Sequence, residues 1–427
     1  MSRLTGLAIF VFIGAMVTLF YGLIMHSCFH YHYPMDTPFF IPGDRFMDFF
    51  NTSHFVKSYT YINQPLAVYF PFAYWVLYPF TLIPPNLSLA IFIFTFTFYI
   101  IYIFRLLTND IYQDAKRKNK TYSFYCSMII LIIFSFPFLF TIDRGNIEVF
   151  VLIFSSTSLY FFKKEKYYTA SIFLSFSAGL KLYPFVFLLL FLKRKQYKAI
   201  LLSILLFLLL SALVLLTLKG GFSNNLTVFG DSIKEVSASG FYTDGIPNSL
   251  SLMSLIKMAS IILYKVKHAV PINYEYFKAF VHQISSTYSL CVLLYISIIA
   301  ASIYFLENRL WAQIMQLTLL ILVCPTVSYD YKLINLFIPL AFFLNNQMKE
   351  RGLFDRIYLV LFALLLIPKN YYMYKASILH FSAGTQDLYF SLAVVLNITI
   401  CFVFSFLLAI EAMLHLHRPS LQKLRSF

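Results

Sequence analysis

Three charged residues stand in sequence otherwise built from Phe, Leu, Ile, Val and Ser. They are Asp143 and Arg144 in DRGNIE, and Lys181 in GLKLYP. A charge at the centre of a bilayer costs about 2.5–3.5 kcal/mol, so one embedded in apolar sequence usually has a partner or a task. Further polar groups lie at Asp44 and Asp48 in GDRFMDFFNTSHFVKSY, and at Asp330 and Lys332 in PTVSYDYK. Asn146 and Tyr183, inside the first two motifs, join them as neutral hydrogen-bonding groups. Acidic and basic groups sharing one cavity suit an anionic ligand and proton transfer. Cations compensate a phosphate, and a carboxylate accepts a proton from a hydroxyl.

The elements that must position these residues are membrane helices. Of 427 residues, 60% are hydrophobic, 20% aromatic and only 12% charged. Soluble domains carry roughly twice that charged share. Apolar runs of spanning length recur from Leu4 to Met413. The chain therefore reads as one all-α polytopic membrane domain over 1–427, with ten to thirteen spans. Its net charge of +15 comes from basic residues clustered in short loops. The positive-inside rule accounts for that pattern, and nucleic acid is not an expected partner. Five scattered cysteines form neither a disulfide framework nor a metal motif.

The first run, Leu4 to Met25, is too long for a signal-peptide core and reads as a retained helix with its N-terminus in the cytoplasm. Residues 26–64 form a first extracytoplasmic loop. Within it, Phe46, Phe49, Phe50, Phe55 and Val56 have near-helical spacing, which predicts an amphipathic helix on the membrane surface with Asp44 as its cap. Two apolar stretches follow, Pro65 to Pro85 and Leu87 to Leu107, before the basic KRKNK loop. Two full crossings would strand that basic loop outside, so one of the pair is re-entrant or interfacial, or the charge rule fails there.

The run 168–192 has basic turns on both sides and Gly179, Lys181 and Pro184 in its middle. That predicts two half-helices meeting at LKLYP, because proline disfavours a continuing helix and broken backbone at membrane depth must line a cavity or be buried. Residues 219–284 form a second large extracytoplasmic region, and a basic tail returns the C-terminus to the cytoplasm. Four polar groups then share one side of the membrane: Asp44/Asp48, Asp143/Arg144, Lys181 and Asp330/Lys332. His26, His30 and His32, spaced four and two with no nearby acid, do not predict a metal centre.

The order of these motifs resembles the GT-C membrane glycosyltransferases that use polyprenyl-phosphate sugars. Within them it is most similar to glycosyltransferase family 87 and the catalytic subunit of GPI mannosyltransferase I. The residues that carry the resemblance are Asp44, then YFPFAYWVLYPFTLIPP, DRGNIE, and AGLKLYPFVFLLLFLKRK after a KKEKYY turn, and finally PTVSYDYK. They run in order over roughly residues 40 to 335. The resemblance implies a GT-C-type helix bundle in the inner membrane with its active site on the outer face. It implies inverting transfer of a hexose, mannose in particular, from a polyprenyl-phosphate donor to a glycan or glycolipid acceptor in polysaccharide assembly, with no obligatory metal or cofactor.

An Asp of the first external loop would be the general base: Asp44 first, for its place after Gly43 and before the amphipathic helix, and Asp48, one turn on, second. The family commonly has Tyr where this chain has Asp48, which leaves the base open by one turn. Asp143, Arg144, Asn146, Lys181, Tyr183, Asp330 and Lys332 would bind substrate. Two other classes remain open from the sequence: a flippase or transporter of lipid-linked saccharides, and an O-antigen-type polymerase.

Overall fold

The computed structural model describes residues 2–39, 42–58, 69–239, 246, 248–268, 270–346, 352–380 and 384–424. The end of the first loop with the start of the next apolar stretch, at 59–68, and the basic QMKER stretch, at 347–351, lie outside the described residues, as do four positions of TDGIPNS and the last three of the chain.

The first half of the chain is helical. In order it forms α1 (Ser2–Ser27), α2 (Met47–Ser58), α3 (Phe72–Thr81), α4 (Pro85–Leu107), α5 (Asn109–Arg117), α6 (Thr121–Ile133), α7 (Phe136–Arg144), α8 (Glu148–Lys163) and α9 (Tyr167–Leu180). A 3₁₀ turn (Tyr183–Phe187) leads to α10 (Leu188–Lys193), α11 (Tyr197–Thr217) and α12 (Phe222–Ser239). The second half adds α13 (Leu252–His268), α14 (Tyr274–Ala301), α15 (Leu310–Val323), α16 (Phe337–Asn346), α17 (Leu353–Leu366) and α18 (Leu392–Leu424). It also holds three strands: β1 (Ile272–Asn273), β2 (Tyr372–His380) and β3 (Gly384–Ser391).

This is an all-α polytopic membrane protein with one small sheet. Among the described residues, five helices are long and apolar enough to cross a bilayer, six if α6 and α7 count as one span. That is fewer than the ten to thirteen expected, because several apolar runs are folded as short helices. The stretch Pro65 to Pro85 is the clearest case. Its only helix in the described part, α3, has 10 residues, a length of about 15 Å and half a hydrocarbon core. The 23-residue α4 does span.

The chain, read from sequence as a single domain, divides into two compact units. One comprises 1–39, 113–136 and 241–427, and the other 40–112 and 137–240. In the first, α1 lies against α6. Leu4, Leu7, Ala8 and Val11 are buried at helical spacing, and the Thr5 and Ser127 hydroxyls meet at 3.0 Å. The sheet has order β1-β2-β3, with β1 parallel and β3 antiparallel to β2. Ala376 and Ile378 on β2, with Leu388 and Phe390 on β3, alternate onto a core shared with Met258, Phe277 and Val394. The opposite face carries the Lys375–Asp387 ion pair at 2.6 Å.

Arg309, partly buried, bonds the buried carboxylates Glu307 at 2.8 Å and Glu411 at 2.6 Å, and the Tyr358 hydroxyl donates to Glu411 at 2.8 Å. Asn273 caps α14, its side chain accepting from the N–H groups of Glu275 and Tyr276.

In the second unit, serines bring α8, α9 and α11 together. Ser155 and Ser177 meet at 2.7 Å, Ser158 donates to the Ala170 carbonyl, Ser171 to Ala199 and Ser175 to Ser203. Small hydroxyl residues let helix backbones approach where lipid supplies no hydrophobic drive. A ring cluster of Phe49, Phe80, Phe92 and Phe150, with centroids 5.0–6.2 Å apart, fastens α2 to α3, α4 and α8. The region 219–284 begins with α12.

Two outcomes follow from this packing. Ser175→Ala should cost about 0.6 kcal/mol, the usual worth of such a bond between membrane helices. Ser175→Leu should cost about 1–3 kcal/mol through overpacking. Thermal unfolding in detergent, with the two variants side by side, checks the order.

Candidate functional site

The site is built at the α7–α8 junction of the second unit. Helix α7 ends at Arg144, and Gly145 turns the chain with φ +62°, a conformation glycine adopts without penalty. A Cβ on Gly145 would stand 2.8 Å from the Phe49 Cβ, so the same glycine lets α2 lie against the turn. The Phe46 N–H donates to the Asp143 carbonyl at 2.7 Å, pinning the start of α2 to the end of α7. Phe49, Thr52 and Val56 form the buried stripe of α2; of the five apolar residues whose spacing predicted a helix, Phe49 and Val56 lie in it, and Phe46, Phe50 and Phe55 are only partly buried. Asp44 does not cap this helix. It closes a 3₁₀ turn, Pro42–Asp44, ahead of it.

A continuous polar chain runs from this helix to the break after α9. Arg144 bonds both oxygens of Asp48, through Nη2 and, at 3.3 Å, through Nε. Asn146 Nδ2 donates to Asp48 Oδ2 at 2.6 Å, while its Oδ1 accepts from Lys181 Nζ at 3.1 Å and from the Glu148 N–H at 3.0 Å. Lys181 also meets Glu148 Oε2 at 2.9 Å, and the Tyr183 hydroxyl donates to Glu148 Oε1. Asp44 joins more loosely, with Oδ2 4.0 Å from Arg144 Nη1.

The α9 helix ends at Leu180, and the following 3₁₀ turn carries Tyr183 and Pro184. The Phe70 N–H donates to the Leu180 carbonyl at 3.2 Å, and a Cβ on Gly179 would meet the Phe72 Cβ at 3.0 Å. Chain arriving from the first loop thus packs directly on the break.

Six of the expected residues gather here: Asp44, Asp48, Arg144, Asn146, Lys181 and Tyr183. Asp143 contributes its backbone carbonyl to the same junction. Two residues escaped sequence reasoning. Glu148, fully buried, opens an apolar run, and that placement was its only signal. Tyr69 approaches Asn146 Nδ2 at 3.5 Å, and its ring lies 5.8 Å from the Lys181 ammonium. Burial, reinforced by the Asp48 carboxylate, pushes the Tyr69 phenol well above its ordinary range, so it stays a neutral donor.

Arg144 and Lys181, read as cations awaiting a phosphate, each carry a carboxylate partner. With Asp44, Asp48 and Glu148 against Arg144 and Lys181, the cluster bears three formal negative and two positive charges.

Asp330 and Lys332 belong to the other unit. Asp330 is buried in a 3₁₀ turn (Asp330–Leu336), and its N–H donates to the Asn248 carbonyl at 3.1 Å. Burial raises its carboxyl to about 7, opposed by the nearby Lys369 charge and Asn370 amide. The Lys332 side chain is buried as well, and the Lys332 carbonyl accepts from Asn335. The histidines also differ from expectation. Asp36 supplies the acid that their spacing lacked, 3.3 Å from His26.

No curated protein and no solved structure matches the chain. A family model does, over residues 67–328, which takes in Arg144, Asn146, Glu148, Lys181 and Tyr183 and begins after Asp44 and Asp48. With well over half its length matched, from the aromatic–proline stretch through both polar motifs, this chain belongs to glycosyltransferase family 87.

Proposed function

We propose that this glycosyltransferase moves a hexose, mannose in particular, from a polyprenyl-phosphate donor to a glycan or glycolipid acceptor on the outer face of the plasma membrane, with inversion. Asp44 is the general base. The acceptor oxygen bonds to the anomeric carbon, and the bond from that carbon to the phosphate oxygen breaks. The electron pair leaves with polyprenyl phosphate, and the hydroxyl proton passes to Asp44.

One observation carries the choice of base. Asp48 is held by Arg144 and Asn146 with its side chain 16% exposed, whereas Asp44 makes a single 4.0 Å ion contact among the described residues and is 30% exposed. A carboxylate clamped by a guanidinium fork is a poor proton acceptor, because protonation would forfeit the charge-assisted bonds. The looser one can take a proton and release it. Asp48 then positions Arg144 and the loop.

The same charge balance bears on the donor. Arg144 and Lys181 are neutralised by carboxylates, so growing charge on the leaving phosphate needs another cation. Arg45, exposed and next to Asp44, is the residue that meets this need.

Purified protein in lipid, incubated with a panel of radiolabelled polyprenyl-phosphate hexoses, should consume the mannosyl donor. Consumption of lipid-diphosphate oligosaccharides instead would refute the reading. Asp44→Asn should lower transfer by about 10²-fold or more with the melting temperature unchanged. Asp48→Asn should lower both, since it leaves Arg144 short of its main partner. Full activity in Asp44→Asn would remove that residue from the mechanism. Arg45→Gln should raise the donor KM more than it lowers kcat, and an effect on kcat alone would contradict its assignment to the donor phosphate.

A further inference from the structure

The C-terminal end of α1 carries a group of side chains that the transfer reaction does not use. His26, His32 and Asp36 each present a ligand atom, and these atoms lie within 4.8 Å of one another. His26 Nδ1 stands 3.3 Å from Asp36 Oδ2. That equals the ligand–ligand edge of a tetrahedron whose metal bonds are about 2.0 Å long. The rings of His26 and His32 are 5.6 Å apart and steeply inclined, so both imidazoles can turn a nitrogen toward one point.

The backbone holds this group in place. The Cys28 N–H donates to the Ile24 carbonyl and the Tyr31 N–H to Met25, folding the loop back over the helix end. The Met35 N–H donates to His32, closing the turn that brings Asp36 round. Gly22 makes the approach possible, because a Cβ there would stand 2.5 Å from the Asp36 carbonyl oxygen. The second carboxylate oxygen, Asp36 Oδ1, is buried and has no hydrogen-bond partner among the described residues. A buried carboxylate oxygen in that position lacks about one hydrogen bond, a deficit that a cation removes.

We propose that His26, His32 and Asp36 bind one zinc-class divalent ion. Two imidazoles and one carboxylate suit zinc over the harder magnesium and calcium, which prefer all-oxygen shells. Three protein ligands leave at least one coordination position for water or an incoming ligand. Bound there, the ion clamps the start of the first loop to the end of α1. Phe29 and Tyr31, stacked at 6.4 Å and exposed, are carried on the clamped segment.

The test uses the full chain purified through a tag without histidine, stripped by chelator and titrated with cobalt(II) or zinc. One equivalent should bind, with the visible absorption of four-coordinate cobalt, and zinc should displace it. His26→Ala and Asp36→Asn should each weaken binding at least about tenfold, and His30→Ala should leave it unchanged. Failure to bind at micromolar metal would show a histidine–aspartate hydrogen bond only and overturn the proposal. Equal weakening by His30→Ala, or none by Asp36→Asn, would overturn it too. Sugar transfer need not change in any of these variants, so the result is independent of the proposed reaction.

Discussion

The second unit depends on a single run of charge-assisted bonds: Asp48 to Arg144 and Asn146, then Asn146 to Lys181, then Lys181 to Glu148 and Glu148 to Tyr183. It joins α2, the end of α7 and the break after α9, adding to the backbone bond from the Phe46 N–H to the Asp143 carbonyl. In apolar surroundings each of these groups alone would be costly, and breaking a buried pair is worse than never having made it. Asn146 is the hinge of the arrangement, because its amide offers a donor to the carboxylate on one side and an acceptor to the ammonium on the other. Replacing either neighbour strands the next, so the group behaves as one unit.

Close packing makes those bonds geometrically possible. Gly145 removes the side chain that would otherwise hold α2 off the turn, and Gly179 does the same for Phe72 at the break. The four-phenylalanine cluster supplies the apolar contact that holds α2 down. The serine bonds among α8, α9 and α11 bring together the helices that present Glu148 and Lys181. Apolar burial is weak as a drive between helices in lipid, so small residues and internal hydrogen bonds take over its role.

Charge compensation also divides the work within the cluster. Asp48 is held by Arg144 and Asn146 while Asp44 stands at the margin, which is the ground on which Asp44 is proposed as the base. Arg144 and Lys181 each have a carboxylate beside them, Asp48 and Glu148. Membership in glycosyltransferase family 87 fits a site whose fixed part lies in the matched region, with Asp44, proposed here as the base, in the loop before it.

Composition and run length alone determined the membrane class, since no other environment tolerates so many uncharged apolar stretches. Local chemistry likewise marked DRGN and LKLYP, because glycine, proline and isolated charges interrupt helices in ways readable without neighbours. The amphipathic stripe of α2 was legible for the same reason.

What the tertiary structure decided was pairing. Arg144 reaches across to Asp48, far away in sequence. Asp44 stops short of capping the helix. Glu148 turns out to be the partner of Lys181, and Asp36 that of His26. The stretch Pro65 to Pro85 holds only the short α3 among the described residues, and the region 219–284 begins with α12. Charges distant in sequence find one another only when packing brings their backbones together, and a one-dimensional pattern holds no record of that distance.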